Sequence, residues 1–407
     1  MFARTYVYAL VLVVACGTSV RAQENPLSLS LSQSLALARQ RAPGLLAARA
    51  RVAEAQAAVV GASMRLDNPE LDGSIGPRFT GGAERQFDFG IGLSQMFENG
   101  ARRTARVAAA TEGVVAAQAR LVAAERDVLR EVSLAFLGAE FLQRQHALLF
   151  DAIAIATEVQ RIAERRLALG DVAALDVNTA RVERARLEAE RHVVDAQRLG
   201  ALGTLGQLLG TTAVPEISAG DAPRAPRLLS DLLSAVDTRP ELRAIDAEIR
   251  EAEGRLALAA AAKRPQLGVN ARYERDEGDH VLLGGLTITL PTFNKGQDIN
   301  AGATARIAAL RLERAAMASG WAVLVRARSL VLEAQRRALE VIERDAMSAA
   351  LDNEGLARRS YETGQISLID WIVLRREAMQ VRREQLDRLR DIAIASVELD
   401  AVAGVIQ

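Results

Sequence analysis

The spacing of hydrophobic and polar positions changes period twice along this chain, and does so in two matching places. From Ser30 onward Leu35, Ala38, Leu45, Val52 and Ala55 recur at helical spacings to about Met64, with Ser30-x-x-Gln33 reading as a capping box. Thr238-x-x-Glu241 does the same work for a later helix with Pro240 in its first turn, and Pro69 and Pro265 close the two helices. The period then falls to two. Leu71, Gly73, Ile75, Pro77 and Phe79 alternate with Asp72, Ser74, Gly76 and Arg78; after Thr80-Gly81-Gly82, Phe87, Phe89, Ile91 and Leu93 alternate with Asp88, Gly90, Gly92 and Ser94. The later copy sets Leu267, Val269, Ala271 and Tyr273 against Gly268, Asn270, Arg272 and Glu274, then Leu282, Leu286, Ile288 and Leu290 against Leu283, Gly285, Thr287 and Thr289. These patterns predict two hairpins, with strands over about 71–79, 87–95, 267–275 and 281–290. Such strands have about the 9 to 11 residues that cross a bilayer when tilted.

Behind each hairpin the helical period returns, over Glu98 to Leu169 and over Gln297 to Thr363. Each stretch would be roughly 100 Å long at 1.5 Å per residue, longer than a compact domain needs. Gly170 and Gly364 end them, and returning helices follow over about Ala173 to Leu208 and Ser367 to Val402. The first returning helix carries a heptad seam, with Leu175, Val182, Ala189 and Ala196 at one position and Asn178, Ala185, His192 and Leu199 at the other. Ala180, Leu187, Val194 and Ala201 form a second stripe at the same period. Two stripes predict neighbours on two sides, as in a helical wall, with the two shorter helices of a repeat stacked end to end along the long one.

The matching places make a tandem duplication. Pro43, Pro69, Phe97, Gly100, Gly170, Asp176 and Arg181 find counterparts in Pro240, Pro265, Phe293, Gly296, Gly364, Asp370 and Arg375, the offset shrinking only from 197 to 194 residues. The organisation predicted is a signal peptide at 1–22, a first repeat at 23–209, a Pro-rich linker at 210–228 containing Pro215, Pro223 and Pro226, and a second repeat at 229–407.

Composition supports long packed helices. Aromatics are 4% against 50% total apolar residues. The 51 basic and 51 acidic residues cancel and are interspersed, which argues against nucleic acid as a partner and against a polybasic membrane anchor. Arg4, the apolar run Tyr6 to Ala15 and Val20-Arg21-Ala22 before Gln23 read as an export signal cleaved after Ala22. Val13-Val14-Ala15-Cys16 also passes as a lipoprotein box, with the single cysteine, Cys16, acylated. Downstream no run of about 18 consecutive apolar residues is seen, so strands are expected to do any bilayer crossing.

Strands in lipid cannot leave open edges, and four are too few for a closed barrel, whereas three copies of the chain would supply 12. Asp72, Arg78, Asn270 and Arg272 would then face inward and the apolar faces would meet lipid. The alternative from the same pattern is an α+β protein whose hairpins pack on its helices. A non-pore coiled-coil adaptor or scaffold, or a protein-secretion duct, also stays open. Catalytic chemistry finds no foothold. His146, His192 and His280 lie far apart, His192 on a helix seam and His280 in a hairpin turn, with no paired His/Cys spacing for a metal and no phosphate loop.

Two local motifs carry a family resemblance. Ser94-Gln95 with Glu98-Asn99-Gly100-Ala101-Arg102-Arg103 and Arg106 is similar to the S-Q-x-x-E-x-G-G-K-R-x-x-R run of CzcC-like members of the TolC family of outer-membrane efflux proteins, with Asn99 and Ala101 departing from the commoner Leu and Gly. Pro291-x-Phe293-Asn294-Lys295-x-Gln297 is similar to the second-repeat counterpart P-x-F-x-R-x-Q. The resemblance spans essentially the whole mature chain. It implies a mainly α, tandem-duplicated TolC-like fold with a 12-stranded barrel in a homotrimer, set in outer-membrane lipid and extending into the periplasm. It further implies a passive exit duct for divalent metal cations or small toxic compounds, docked to a periplasmic adaptor and an inner-membrane RND-type pump, without enzymatic activity or cofactor. The turns Leu169-Gly170 to Asp176 and Tyr361-x-x-Gly364 to Asp370 resemble the family's periplasmic tips. Asp176, Tyr361 and Asp370 are therefore candidate gate residues, and Leu169, Gly170, Gly364 and Gln365 candidate adaptor contacts. In some relatives an Arg bonds to an Asp and a Tyr at this constriction; here Ile366 stands in the position of that Arg.

Overall fold

The computed structural model describes residues 28–78, 86–218, 227–276 and 279–406. The export signal, Cys16, Phe79, Thr80-Gly81-Gly82, Pro223 and Pro226 lie outside the described residues. The first repeat runs β1 (Ser28–Leu29), α1 (Leu31–Arg41), α2 (Pro43–Ser63), β2 (Glu70–Arg78), β3 (Gln86–Phe97), α3 (Gly100–Ala168), α4 (Ala174–Leu209) and β4 (Glu216–Ile217). The second runs α5 (Leu229–Val236), α6 (Pro240–Ala262), β5 (Gln266–Asp276), β6 (Asp279–Thr289), α7 (Gln297–Val341), a π-helical segment (Ile342–Met347), α8 (Ser348–Glu362) and α9 (Leu368–Ala403).

The Ser30 capping box forms, with both the Ser30 and Gln33 side chains bonded to backbone. The helix it opens does not continue to Met64. It stops at Ala42, whose extended conformation (ψ 126°) is the one favoured before a proline, and α2 starts afresh at Pro43. The predicted Thr238–Glu241 capping box is also corrected. Arg239 is the N-cap residue of α6 and no side chain caps it; the Thr238 hydroxyl donates back to the Ala235 carbonyl, and Glu241 takes the Arg239 guanidinium at 2.6 Å. α2 and α6 end at Ser63 and Ala262, a few residues before Pro69 and Pro265, which instead sit at the strand entrances.

α3 has 69 residues and so spans about 100 Å. The end of α4 and the junction of α1 with α2 meet at its middle, where Leu35, Ala38 and Leu45 pack with Leu129, Val132 and Phe136 of α3 and Leu202, Leu205 and Leu209 of α4. The shorter helices are thus stacked end to end along the long one, as expected. The second repeat builds the same junction from Leu232 and Val236 of α5, Val325 and Leu332 of α7, and Ile392, Leu399 and Ala403 of α9. Its long helix is interrupted at Ile342–Met347 by π-helical geometry that the first repeat lacks.

All four long strands form one antiparallel sheet in the order β2-β3-β5-β6. The repeats join through β3 and β5, from Phe89 opposite Arg275 to Phe97 opposite Leu267. Among the described residues no helix covers either face of this sheet, and its apolar side is bare: Ile75 is 82% exposed, Leu282 78% and Leu286 79%. Hairpins packed on helices, the alternative pattern, are not what the chain forms. His280 stands in β6 opposite Arg275 and not in the turn.

α3 and the helix over 297–362 each contain an 18-residue stretch of at most two charged residues, with mean hydropathy 1.2 and 1.3. Alanine raises the mean without forming an unbroken apolar run, so length and composition do not by themselves decide which element meets lipid.

Candidate functional site

Two regions concentrate the candidate residues, the sheet and the helical tip. On the polar side of the sheet, register brings Asp72, Gly92 and Arg272 into one row across three strands. Arg272 pairs with Asp72 and, at 3.1 Å, with Glu274, while the Asn270 amide donates to the Thr287 hydroxyl at 3.1 Å. Leu283 and Val281 share this side in β6, so its polarity fades toward that edge. On the opposite side the apolar band has aromatics at both ends. Phe89, Tyr273 and His280 cluster near the hairpin turns, with ring centroids 5.9 Å apart, and exposed Phe97 and Phe293 stand at the helix-proximal end. An apolar band between aromatic girdles is the pattern found on the outer surfaces of transmembrane barrels.

The two motifs that carried the resemblance form the joint under the sheet. Glu98 pairs with Arg106, which also donates to the Ala62 and Met64 carbonyls at 2.9 Å each, tying the end of α2 to the start of α3. Asn99 caps α3, its side chain accepting from Ala101 N–H at 2.9 Å. In the second copy Gly296 takes φ +77° and a Cβ there would fall 2.8 Å from the Ala259 carbonyl, so only glycine fits. Asn294 accepts from Gly296 N–H at 3.0 Å, and the Gln297 amide donates to the Phe293 carbonyl at 2.8 Å.

At the tip, Gly170 (φ +79°) and Gly364 (φ +76°) end the long helices by the same device. Asp171 N–H bonds the Arg166 carbonyl and Gly170 N–H that of Leu167; Gln365 and Gly364 repeat this on Ser360 and Tyr361. Leu169, Gly170, Gly364 and Gln365 are all exposed there. Asp370 sits in a capping box with Ser367, accepting from its hydroxyl at 2.6 Å and its N–H at 3.2 Å. These bonds hold the Asp370 carboxyl below the usual carboxylate range. A depressed folded value means the cap is complete above the ordinary carboxylate pKa and is lost as pH falls through the folded one. Amide exchange at residues 367–371 should therefore accelerate only below about pH 4. In Ser367→Ala it should be fast at neutral pH as well, the cap being worth about 1 kcal/mol. Equal protection in Ser367→Ala and the unmodified chain would remove the cap from this account. Asp176 lies in the first turn of α4 and makes no ion pair among the described residues.

Tyr361 is buried, 3% exposed, and stacks on Trp371 with centroids 4.8 Å apart. Around them Val159 and Ala163 of α3, Val177 and Ala180 of α4, and Leu368 and Ile372 of α9 join both hairpins into one cluster, with Ile366 packed against it. A cation is nevertheless present. Arg166, from α3, lies over the Tyr361 ring at 4.7 Å and reaches the Glu362 carbonyl at 3.4 Å. Sequence spacing gives no signal for this contact, because it joins helices from different repeats. Burial raises the Tyr361 hydroxyl pKa while the neighbouring Arg166 guanidinium lowers it, and among the described residues no group meets the hydroxyl at hydrogen-bonding geometry.

His146 of α3 and His192 of α4 come within electrostatic reach of the same carboxylate, Asp195, which Arg198 holds at 2.9 Å. Among the described residues no group of His, Cys, Asp and Glu is placed to hold a metal ion.

Residues 34–211 match the family model described as outer membrane efflux protein. The chain is 24% identical to the cobalt-zinc-cadmium resistance protein CzcC of Cupriavidus metallidurans over 75% of each chain. It is 26% identical to the nickel-cobalt-cadmium resistance protein NccC of Alcaligenes xylosoxydans xylosoxydans over 73% of this chain and 68% of that one. The fold superposes on the Campylobacter jejuni CmeC outer membrane channel with TM-score 0.75 at 15% identity, covering 92% of this chain and 85% of that one. Residues 34–211 thus match the outer membrane efflux protein model, and over 92% of its length the chain has the fold of a solved outer membrane channel.

Proposed function

We propose that three copies of this chain form the passive outer-membrane exit duct of a tripartite efflux system, fed by a periplasmic adaptor and an inner-membrane RND-type pump. The observation that carries this reading is the bare sheet face with aromatics at both ends, attached to helices of about 100 Å. The outer edges of β2 and β6 are unpaired among the described residues. Lipid does not tolerate such edges, and closure with further copies removes them. The exposed stripe Leu175, Val182 and Leu199 on α4, beside the buried stripe Ala180, Leu187 and Val194, supplies a helical face for the next copy.

The cargo proposed is a divalent transition-metal cation, as the names of the two resistance relatives suggest. The tip is the proposed gate, with Asp176 as its free acid, Asp370 as the acid that fixes the start of α9, and Tyr361 as the packing pin. The adaptor would meet Leu169, Gly170, Gly364 and Gln365. Deleting the gene should sensitise cells to cobalt, zinc, cadmium or nickel, with sensitivity reversed by the intact gene. Sensitivity to organic toxins alone would remove the metal from the proposal and keep the duct.

A further inference from the structure

We infer that Arg272 is a built-in counter-ion of the barrel's inner wall: held between Asp72 and Glu274, it occupies the place a divalent cation would otherwise take, and so keeps the duct from retaining the cations that pass along it. This rests on the trimeric duct proposed above, in which the polar side of the sheet faces the lumen.

The arrangement begins with two glycines. β3 lies between β2 and β5, so a side chain at its inward positions would stand between an acid on one neighbour and a base on the other. The inward residues of β3 at this level are Gly90 and Gly92. The Asp72 carboxylate lies over Gly92, where an added Cβ would collide with it, and from there it meets Arg272, which stands opposite Gly92 on the far side. Gly90 makes the same room one rung along. A Cβ there would fall 3.3 Å from Cγ of Glu274, and the Glu274 carboxylate takes the Arg272 guanidinium at 3.1 Å. Two carboxylates, one from each repeat, thus converge on one guanidinium because the strand between the repeats' acids carries no side chain there.

Stability gains little from this convergence. The Asp72, Arg272 and Glu274 side chains are 52%, 40% and 35% exposed, and pairs of that kind contribute about 0–1 kcal/mol. Charge is the larger consequence. Two carboxylates and one guanidinium leave a single negative charge per chain, whereas without Arg272 both carboxylates would be uncompensated and already gathered around one point. Three copies repeat this around one level of the lumen. Carboxylate oxygens brought together in this way are ligands for divalent cations. A conduit must release an ion as readily as it admits it, and tight binding in the wall would prevent that. A guanidinium keeps its charge at every pH the protein meets, so it occupies the acids permanently and leaves only a weak preference for cations.

The test records the full-length protein in planar bilayers while cobalt chloride is titrated against the current. The unmodified chain should show little block, and Arg272→Ala should be half-blocked at a cobalt concentration about tenfold or more lower. Arg272→Lys, which keeps the charge, should stay within about threefold of the unmodified chain. Adding Asp72→Asn to Arg272→Ala should restore the unmodified response. Equal block of the unmodified and Arg272→Ala channels overturns the inference, and so does block that Asp72→Asn leaves in place. Should Arg272→Ala fail to assemble, Asp72→Asn with Glu274→Gln decides. It leaves the Arg272 charge uncompensated and should move the reversal potential in a potassium chloride gradient toward chloride; an unchanged reversal potential overturns the inference. An unmodified chain that never conducts overturns the duct itself.

Discussion

Tyr361→Ala should weaken the tip by about 3–5 kcal/mol, the usual loss for emptying a buried aromatic site. The ring is 3% exposed, lies against Trp371 and carries the Arg166 guanidinium on its other side. Removing it therefore deletes a stacking partner and a cation–π contact together, in the one cluster that joins both hairpins at the tip. Amide exchange over residues 357–372 and protease cleavage near Gly364 should both rise, with the helix junction around Phe136 unaffected. Tyr361→Phe should behave oppositely. The hydroxyl is buried and among the described residues meets no group at hydrogen-bonding geometry, so its removal relieves an unsatisfied polar group and should leave stability equal or higher by up to about 1 kcal/mol. If Phe were as damaging as Ala, the hydroxyl would have to be hydrogen-bonded in the assembled protein, and packing would not be what Tyr361 contributes.

Leu286→Arg separates lipid from water as the surroundings of the sheet. Leu286 is 79% exposed, so in a water-soluble protein an arginine there would change stability by less than about 0.5 kcal/mol. In a barrel the same substitution places a charge against the hydrocarbon layer, since Leu286 pairs with Val269 inside the apolar band between the two aromatic ends. The expected cost is about 2–4 kcal/mol. Heat-modifiable mobility and yield of folded protein from outer-membrane fractions would report it. Thr287→Arg, on the polar side of the same strand, is the internal comparison and should be tolerated. Equal tolerance at both positions would mean that neither side of the sheet meets lipid.

Much of this architecture could be read from spacing, because the two periods involved, 2.0 and 3.6, are local properties of the chain. The hairpins, the long helices and the glycine turns at 170 and 364 stand within a few residues of their predicted positions. Both stripes on α4 were legible, but which of them turns inward was not. Ala180, Leu187 and Val194 are buried, while Leu175, Val182 and Leu199 are left for a neighbour. Contacts between repeats were the least legible. The pairing of β3 with β5, the placing of Arg166 over Tyr361, and the Arg376–Glu183 and Arg383–Glu190 pairs all join residues more than one hundred positions apart, where no local period applies. The π-helical segment also leaves no trace in composition, since Ile342–Met347 reads as ordinary helix. Ala42 was legible in principle, as the residue before a proline, yet the helical period on either side concealed the break.

The central claim is that this chain conducts across a membrane as a closed ring of three. It is tested most directly by single-channel recording of the protein extracted from outer membranes with detergent and reconstituted at limiting dilution into planar bilayers. Discrete, uniform conductance steps are expected from a particle whose mass is three times that of the chain. A protein recovered from the soluble periplasmic fraction, or one that enters bilayers without producing steps, would contradict the account.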